Sequence, residues 1–438
     1  MATIDPDVGC VVPGPGEWPV DPQEPIPIRE DRLWVDGCFD FFHHGHAGVL
    51  LQSRRLGASL FCGVHSDADI TLNKGPTVMS LAERVAAMEA CRFSTKVVPN
   101  APYVTSIPWI SHYGCQYVSH GDDITSDAGG EDSYRFVKKA GRMKIVPRTQ
   151  GISTTDLVGR MLDQTTGHFV QSLEAVIQGK EKSETGDAKE VGRLLKEYAA
   201  AENGVDPGIE VFTYDEERTN AFERIVEGTR PRPGQRIVYV DGAFDLFSSG
   251  HIAFLQTVSQ MESERGHKSG WFEEAKQRER IEKTGSDYPP AFIVAGVHSD
   301  AVVNAHRGGN YPIMNVIERG LCVVQCAYIH AVVFGAPFVP VKAYLETLPF
   351  GDAGARTPNA VYHGPTNSPG RDEYSDAKAM GIYIETAAHA FQEVNAEQIV
   401  GRIMERKEDY IERQRKKGIK SLAEREAEAE EKRKAGNL

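Results

Sequence analysis

The chain repeats itself, and that repetition constrains its fold more than any other feature. DGCFDFFHHGH at residues 36–46 returns as DGAFDLFSSGH at 241–251. GVHSDADI from Gly63 returns as GVHSDAVV from Gly296, APYV from Ala101 as APFV from Ala336, and HGDD from His120 as HGPT from His363. KGPTVMSLAER from Lys74 returns more loosely as RGGNYPIMNVIER from Arg307. The order is kept while the offset grows from 205 to 233, 235 and 243. Two long copies, the second carrying insertions, describe a duplicated domain and not a solenoid. At 438 residues there is length for two cores.

Within the first copy, short apolar runs (LWV at 33–35, SLFCGVH, KVV, YVS, KIVP) alternate with stretches of helical spacing at 47–56 and 81–91. Strands alternating with helices predict a parallel sheet flanked by helices. The expected fold is therefore α/β, two tandem Rossmann-like domains. The expected divisions are a Pro-rich, disordered lead-in at 1–30, a first domain at 31–165 and a polar linker at 166–235. A second domain at 236–405 and a charged helical tail at 406–438 complete the chain. An insertion at 260–290 in the second copy is expected to be a mobile loop or a short helix.

The net charge of −13 argues against a general nucleic-acid-binding surface. No apolar run approaches the ~20 residues that span a bilayer. The first 30 residues have no basic region of a signal peptide. The cysteines are seven, an odd number with no CxxC pair, which fits reduced thiols in a cytoplasmic protein. In the tail the apolar positions Tyr410, Ile411, Ile419 and Leu422 are too scattered for a membrane face, so a solvated helix is expected.

The opening phrase follows a strand, turns at Gly45 and starts a helix, which is where parallel sheets hold ligands. A helix N-terminus attracts phosphate. His43 and His46 are three apart and can face one ligand across the first turn. Two imidazoles at phosphate oxygens would stabilise a charged transition state without a protein nucleophile. Taken alone, three clustered histidines could as well be surface residues. No carboxylate or Cys at ligand spacing supports a metal site. RTQGISTTD at 148–156 adds a guanidinium (Arg148), a turn (Gly151) and hydroxyls (Ser153, Thr154, Thr155) that can cap a helix or hold an anion. Lys74, in NKGP, is a further cation beside a glycine.

DGxFDxxHxGH followed by KG, ER, HGxD and RTxGxSTT resembles the cytidylyltransferases that make CDP-alcohols, a family of nucleotidyltransferases. The duplication is most similar to the branch that uses phosphoethanolamine. The resemblance is strong over about 31–165 and looser over 236–405. It implies CTP and phosphoethanolamine as the small-molecule partners, CDP-ethanolamine as product, and a step in phosphatidylethanolamine synthesis. It implies His43, His46, Lys74 and Arg148 as catalytic residues. Gly37, Cys38, Phe39, Gly45, His120, Gly121, Asp122, Asp123, Gly151, Ile152, Ser153, Thr154 and Thr155 would line CTP. By the same match Asp40 would help bind the amino alcohol or the site's cations, Mg²⁺ would accompany CTP, and the two domains would pack as an intramolecular pseudo-dimer. Among the aromatic residues, Tyr103, Trp109 and Tyr134 are candidates for the walls around the ammonium or are plain core residues, with Tyr103 and Tyr134 taken as substrate-binding. The second copy has Ser248 for His43, Arg307 for Lys74 and no RTxGxSTT, so it is expected to be folded but catalytically dead. A relative acting on phosphocholine or glycerol phosphate, or a nucleotide-binding regulatory protein, is the alternative.

Overall fold

In the computed structural model the described residues are 1–438 apart from 124, 219–220, 352–353, 366–371 and 417–438. They group into two units: one holds residues up to Gln164 together with the segment from Glu397, and the other runs from Thr165 to Ala396.

In the first unit the lead-in is ordered, contrary to the expectation of disorder. Strands β1 (Thr3–Ile4) and β2 (Val11–Val12) pair antiparallel. The chain beyond them carries Trp18, which stacks on His112 at 3.5 Å, while Trp109 Nε1 donates to the Val11 carbonyl at 2.9 Å. Asp5 is buried and accepts from Ser106 Oγ at 2.5 Å. A Pro-rich segment hides such anchors, because each is spaced by turns and finds its partner some hundred residues away.

Five parallel strands follow: β3 (Arg29–Gly37), β4 (Ser59–His65), β5 (Lys96–Ala101), β6 (Cys115–Gly121) and β7 (Met143–Val146), in spatial order β5-β4-β3-β6-β7. The helices of this part are α1 (His44–Arg54), α2 (Asp67–Lys74), α3 (Leu81–Glu89), α4 (Ile107–His112), α5 (Arg135–Lys139) and α6 (Thr154–Asp163). β3 sits where the strand order reverses, so the turn after it opens at the switch point, where such sheets bind ligands.

The second unit repeats this sheet and extends it. The stretch expected to be a linker is structural: it forms α7 (Leu173–Ile177), α8 (Ala188–Tyr198), β8 (Glu210–Tyr214) and β9 (Phe222–Val226). In α8 the buried Val191, Leu194, Leu195 and Tyr198 make one apolar stripe at helical spacing. β10 (Arg236–Gly242) leads into α9 (Ser249–Lys268) and α10 (Glu274–Thr284), so the insertion is helical and not a loop. Then come β11 (Ala291–Val297), α11 (Asp300–Arg307), α12 (Val316–Val324), β12 (Ala331–Phe334), α13 (Lys342–Glu346), β13 (Ala360–His363), α14 (Ser375–Ala379) and β14 (Tyr383–Glu385). The seven-stranded order β14-β13-β10-β11-β12-β8-β9 is the same parallel core, with the β8–β9 hairpin added at one edge.

Helix α15 (Ala396–Glu405) and a further helical stretch at 407–416 carry the chain back to the first unit. The division of the chain thus falls near 396, not 405, and the described part of the tail is not a free solvated helix, since Tyr410 is buried. Ile419 and Leu422 lie outside the described residues. Among those described, no helix is long and apolar enough to cross a membrane.

Candidate active site

The turn joining β3 to α1 is strained. Phe39 and Phe41 hold φ of +56° and +49°, a region that bulky side chains rarely enter. Their rings are buried. The backbone there is held by two clamps. Asp40, 2% exposed, accepts from the backbone N–H of Val78 at 3.1 Å and of Met79 at 2.9 Å. Arg84, fully buried at its side chain, donates to the carbonyls of Cys38 (2.7 Å), His65 (2.9 Å) and Met79 (3.2 Å) and to Asp67 (2.7 Å). Asp40 was expected to meet the amino alcohol or the site's cations. Its oxygens take the loop N–H groups of Val78 and Met79 and the Arg413 guanidinium, so in this structure it is a clamp that meets a cation of the chain itself.

The three histidines divide. His43 is the N-cap of α1, its Nδ1 accepting from the Gly45 N–H at 3.1 Å. His43 and His46 stack with ring centroids 4.0 Å apart, so both imidazoles occupy one place. His44 is buried, and burial, with Arg160 adding to it, lowers its pKa to about 3; it is a neutral core residue. Gly45 is required by space. A Cβ there would lie 2.9 Å from the His43 ring and 3.1 Å from Ile152 Cγ2.

That approach of Ile152 brings the RTQGISTTD segment onto the histidine turn. Gln52 of α1 donates to the Pro147 carbonyl at 2.8 Å, and Thr154 Oγ1 donates to the Asp40 carbonyl at 3.2 Å. Gly151 has φ +86°, the turn that was expected. Ser153 is the N-cap of α6, accepting from the Asp156 N–H at 3.1 Å, so its hydroxyl is used as an ordinary cap. Arg148 is exposed, with its backbone N–H on Asp122 at 3.3 Å. Asp122 and Asp123 are exposed beyond Gly121.

The other wall is aromatic. Lys74 ends α2, and its Nζ lies 5.5 Å from the Tyr103 ring centroid. Tyr103 lies beside His65, and Tyr134 beside His120, at 5.2 and 4.5 Å between centroids. Burial lowers the pKa of His65 and His120, so both favour the neutral form. Tyr103 donates to the Ser126 carbonyl at 3.1 Å. Tyr134 is buried and donates to Asp36 at 2.7 Å. Asp36 also accepts from Trp34 Nε1 and Thr105 Oγ1, each at 2.8 Å. Gly37 leaves room for the Phe39 ring, 3.1 Å from where its Cβ would be. Sequence reasoning missed Asp36 and Arg84 as parts of the site. Their signal was present, since both recur in the second copy as Asp241 and Arg319.

The second unit has the same turn with other contents. Phe244 and Leu246 again hold positive φ, Asp245 accepts from the N–H of Ile313 and Met314, and Arg319 donates to Met314, His298 and Asp300. Ser248 turns inward and donates to the Val394 carbonyl at 2.7 Å. His251 is pushed down to about 4 by burial, with Arg307 and His389 adding to it, and carries no charge at neutral pH.

The family model described as cytidylyltransferase-like matches residues 34–160, the segment that builds the first site. A probable ethanolamine-phosphate cytidylyltransferase of Schizosaccharomyces pombe is 34% identical over 400 residues, covering 90% of this chain and 95% of that one. The ethanolamine-phosphate cytidylyltransferase of Mus musculus is 35% identical over 408 residues, covering 90% and 91%. The chain belongs to the ethanolamine-phosphate cytidylyltransferase family. Choline-phosphate cytidylyltransferase A of Rattus norvegicus is 37% identical over 156 residues, which is 35% of this chain and 42% of that protein. The ethanolamine-phosphate cytidylyltransferases thus match through both copies, and the choline enzyme over about a third of the chain.

Proposed function

We propose that this chain transfers the cytidylyl group of CTP to phosphoethanolamine, giving CDP-ethanolamine and diphosphate for phosphatidylethanolamine synthesis in the cytoplasm. The observation that carries the reading is the meeting of the histidine turn, the Lys74 corner and the RTQGISTTD segment at the switch point of one parallel sheet. Matches to ethanolamine-phosphate cytidylyltransferases over 90% of the chain support it.

An oxygen of the phosphomonoester attacks the α-phosphorus of CTP in line, and the bond to the β-phosphate oxygen breaks. The second pKa of such a phosphate is near ~6, so the nucleophile is already ionised and needs no strong base. What remains is positioning and charge neutralisation. His43 and His46 would donate to α- and β-phosphate oxygens, and Lys74 would bridge CTP and the incoming phosphate. Arg148 and the N-terminal turn of α6, including Thr154 and Thr155, would hold the triphosphate end. His120, Gly121, Asp122 and Asp123 would lie near the nucleoside. Asp36, with the rings of Tyr103 and Tyr134, would receive the ammonium in place of Asp40.

Mg²⁺ belongs to the proposal as the companion of CTP. Among the described residues no three His, Cys, Asp or Glu side chains gather as a cage, so the phosphates of CTP would supply most of the ligands of such an ion. The second unit is proposed to be non-catalytic, and pairing of the two units as a pseudo-dimer belongs to the same proposal.

The test is diphosphate release by the purified chain with CTP, Mg²⁺ and a panel of phospho-alcohols. Release with phosphoethanolamine, and little with phosphocholine or glycerol phosphate, is expected. Release with a different alcohol would sink the substrate. Silence with all of them would leave a nucleotide-binding regulator.

A further inference from the structure

The C-terminal segment crosses the loop that follows Lys74, and it does so with charged and buried groups. Arg402 donates to both carboxylate oxygens of Glu83, at 2.6 and 2.8 Å, and to the Val78 carbonyl at 3.1 Å. Burial alone would raise the Glu83 pKa, but the hydrogen bonds from Arg402 and the Ser80 N–H outweigh it and the pKa is lowered, so the pair is ionic. Tyr410, 2% exposed, donates to the Thr77 carbonyl at 3.0 Å. Arg413 donates to the Pro76 carbonyl at 2.6 Å and to Asp40 at 3.3 Å. Gln414 donates to the Thr155 carbonyl at 3.2 Å. Gly75, with φ +92°, is the hinge between Lys74 and this loop, and a Cβ on it would meet the Arg413 side chain at 3.3 Å.

One segment therefore touches all three parts of the site: the loop at 75–79, the histidine turn through Asp40, and α6 through Thr155. We propose that Arg402, Tyr410 and Arg413 are positioning residues, a strap that fixes the 75–79 loop and so sets Lys74 for cytidylyl transfer. The proposal rests on the reaction above. A second observation supports it independently. In the other unit the loop carbonyl equivalent to Thr77 is that of Pro312, and it is met by the ring of His168 at 2.8 Å. His168 follows α6, the last helix of the first copy, as Tyr410 follows α15, the last helix of the second copy. Each loop is thus held at the same carbonyl by a ring from the segment after a copy's final helix.

The experiment uses the full chain with Arg413→Ala, Arg413→Lys and Tyr410→Phe. It reads kcat and KM for CTP and phosphoethanolamine, melting temperature, and backbone hydrogen exchange at Val78 and Met79. Arg413→Ala is expected to lower kcat about tenfold, more than it raises either KM, because misplacement costs the transition state first. The melting temperature should hold, the two amides should exchange faster, and Lys should restore part of both effects. Tyr410→Phe keeps the packing and should move both readouts less, in the same direction. In an active parent, a fall in kcat with unchanged exchange, or faster exchange with unchanged kcat, overturns the proposal. If the parent releases no diphosphate, the reaction fails and exchange alone decides the strap: unchanged amides sink it.

Discussion

The turn after β3 and the turn after β10 match almost bond for bond, yet they hold different chemistry. Asp40 and Asp245 each take two loop N–H groups, Arg84 and Arg319 each hold the carbonyls around their turn, and both turns carry side chains at positive φ. Where the first turn presents the stacked pair His43 and His46, the second has Ser248 bonded to Val394 and a neutral His251. The scaffold of such a site and the side chains it presents are therefore separable. A copy can lack the histidine pair proposed to meet phosphate and keep both clamps, because the clamps are themselves buried in the core.

The largest effect should come from breaking the clamp in either copy. Arg319→Met strands the buried Asp300 carboxylate and several carbonyls and should cost about 3–5 kcal/mol in denaturant unfolding, whereas Arg84→Met strands several carbonyls beside a half-exposed Asp67 and should cost about 1–3 kcal/mol. A clear loss on both sides, larger at Arg319, would support a shared scaffold. A loss confined to Arg84 would show that the second copy no longer depends on its clamp. Next, His43→Ser rewrites the first turn as the second, and kcat for diphosphate release should fall about 100- to 1,000-fold. The reverse change, Ser248→His, should add no activity, since Arg307 and the segment at 386–394 still differ. Gain of activity there would mean that one histidine was all the second copy lacked.

A smaller difference lies in the buried carboxylates. Burial pushes Asp241 up to about 7, against its hydrogen bond from Tyr374. A carboxyl raised in the folded state takes up a proton on folding, so its contribution to stability is full in acid. That contribution is lost as pH rises from ~4, the unfolded value, through the folded value. Asp241→Asn should flatten this slope and stabilise the chain at pH 8 relative to the parent. An unchanged slope in urea melts would place the titration elsewhere. The smallest effect should be at the capping boxes that start α3 and α12: Ser80→Ala and Asn315→Ala should each cost about 1 kcal/mol. A much larger loss at Asn315 would show that its full burial makes it more than a cap.

Much of this was legible in the sequence. The repeat implied the two sheets, and the segments around His43 and Arg148 that the sequence singled out do meet, where Ile152 approaches Gly45 and Thr154 bonds the Asp40 carbonyl. What escaped were non-local contacts. Asp40 looked like a ligand residue from its place in the histidine motif, and its loop partners lie 38 and 39 residues away. Residues 1–30 looked disordered because the groups that bury Trp18 sit around His112. Residues 166–235 looked like a linker because polar runs surround α8, and its apolar stripe needs the sheet of its own unit to be useful. The tail looked solvated because its anchors are scattered among charges: Tyr410 is buried, and Arg413 and Gln414 dock through polar groups.

The strap has a consequence for the order of events during synthesis. Residues 1–164 leave the ribosome first, but the segment that ties their site together follows 165–396. At ordinary elongation rates that interval is roughly 10–50 s. The histidine turn can form in that time, but it waits for its last restraint until residues 402–414 have been made. A nascent chain that stalls in the second copy would then carry every motif of the first site and little turnover, so that activity itself certifies that translation reached the end of the second copy.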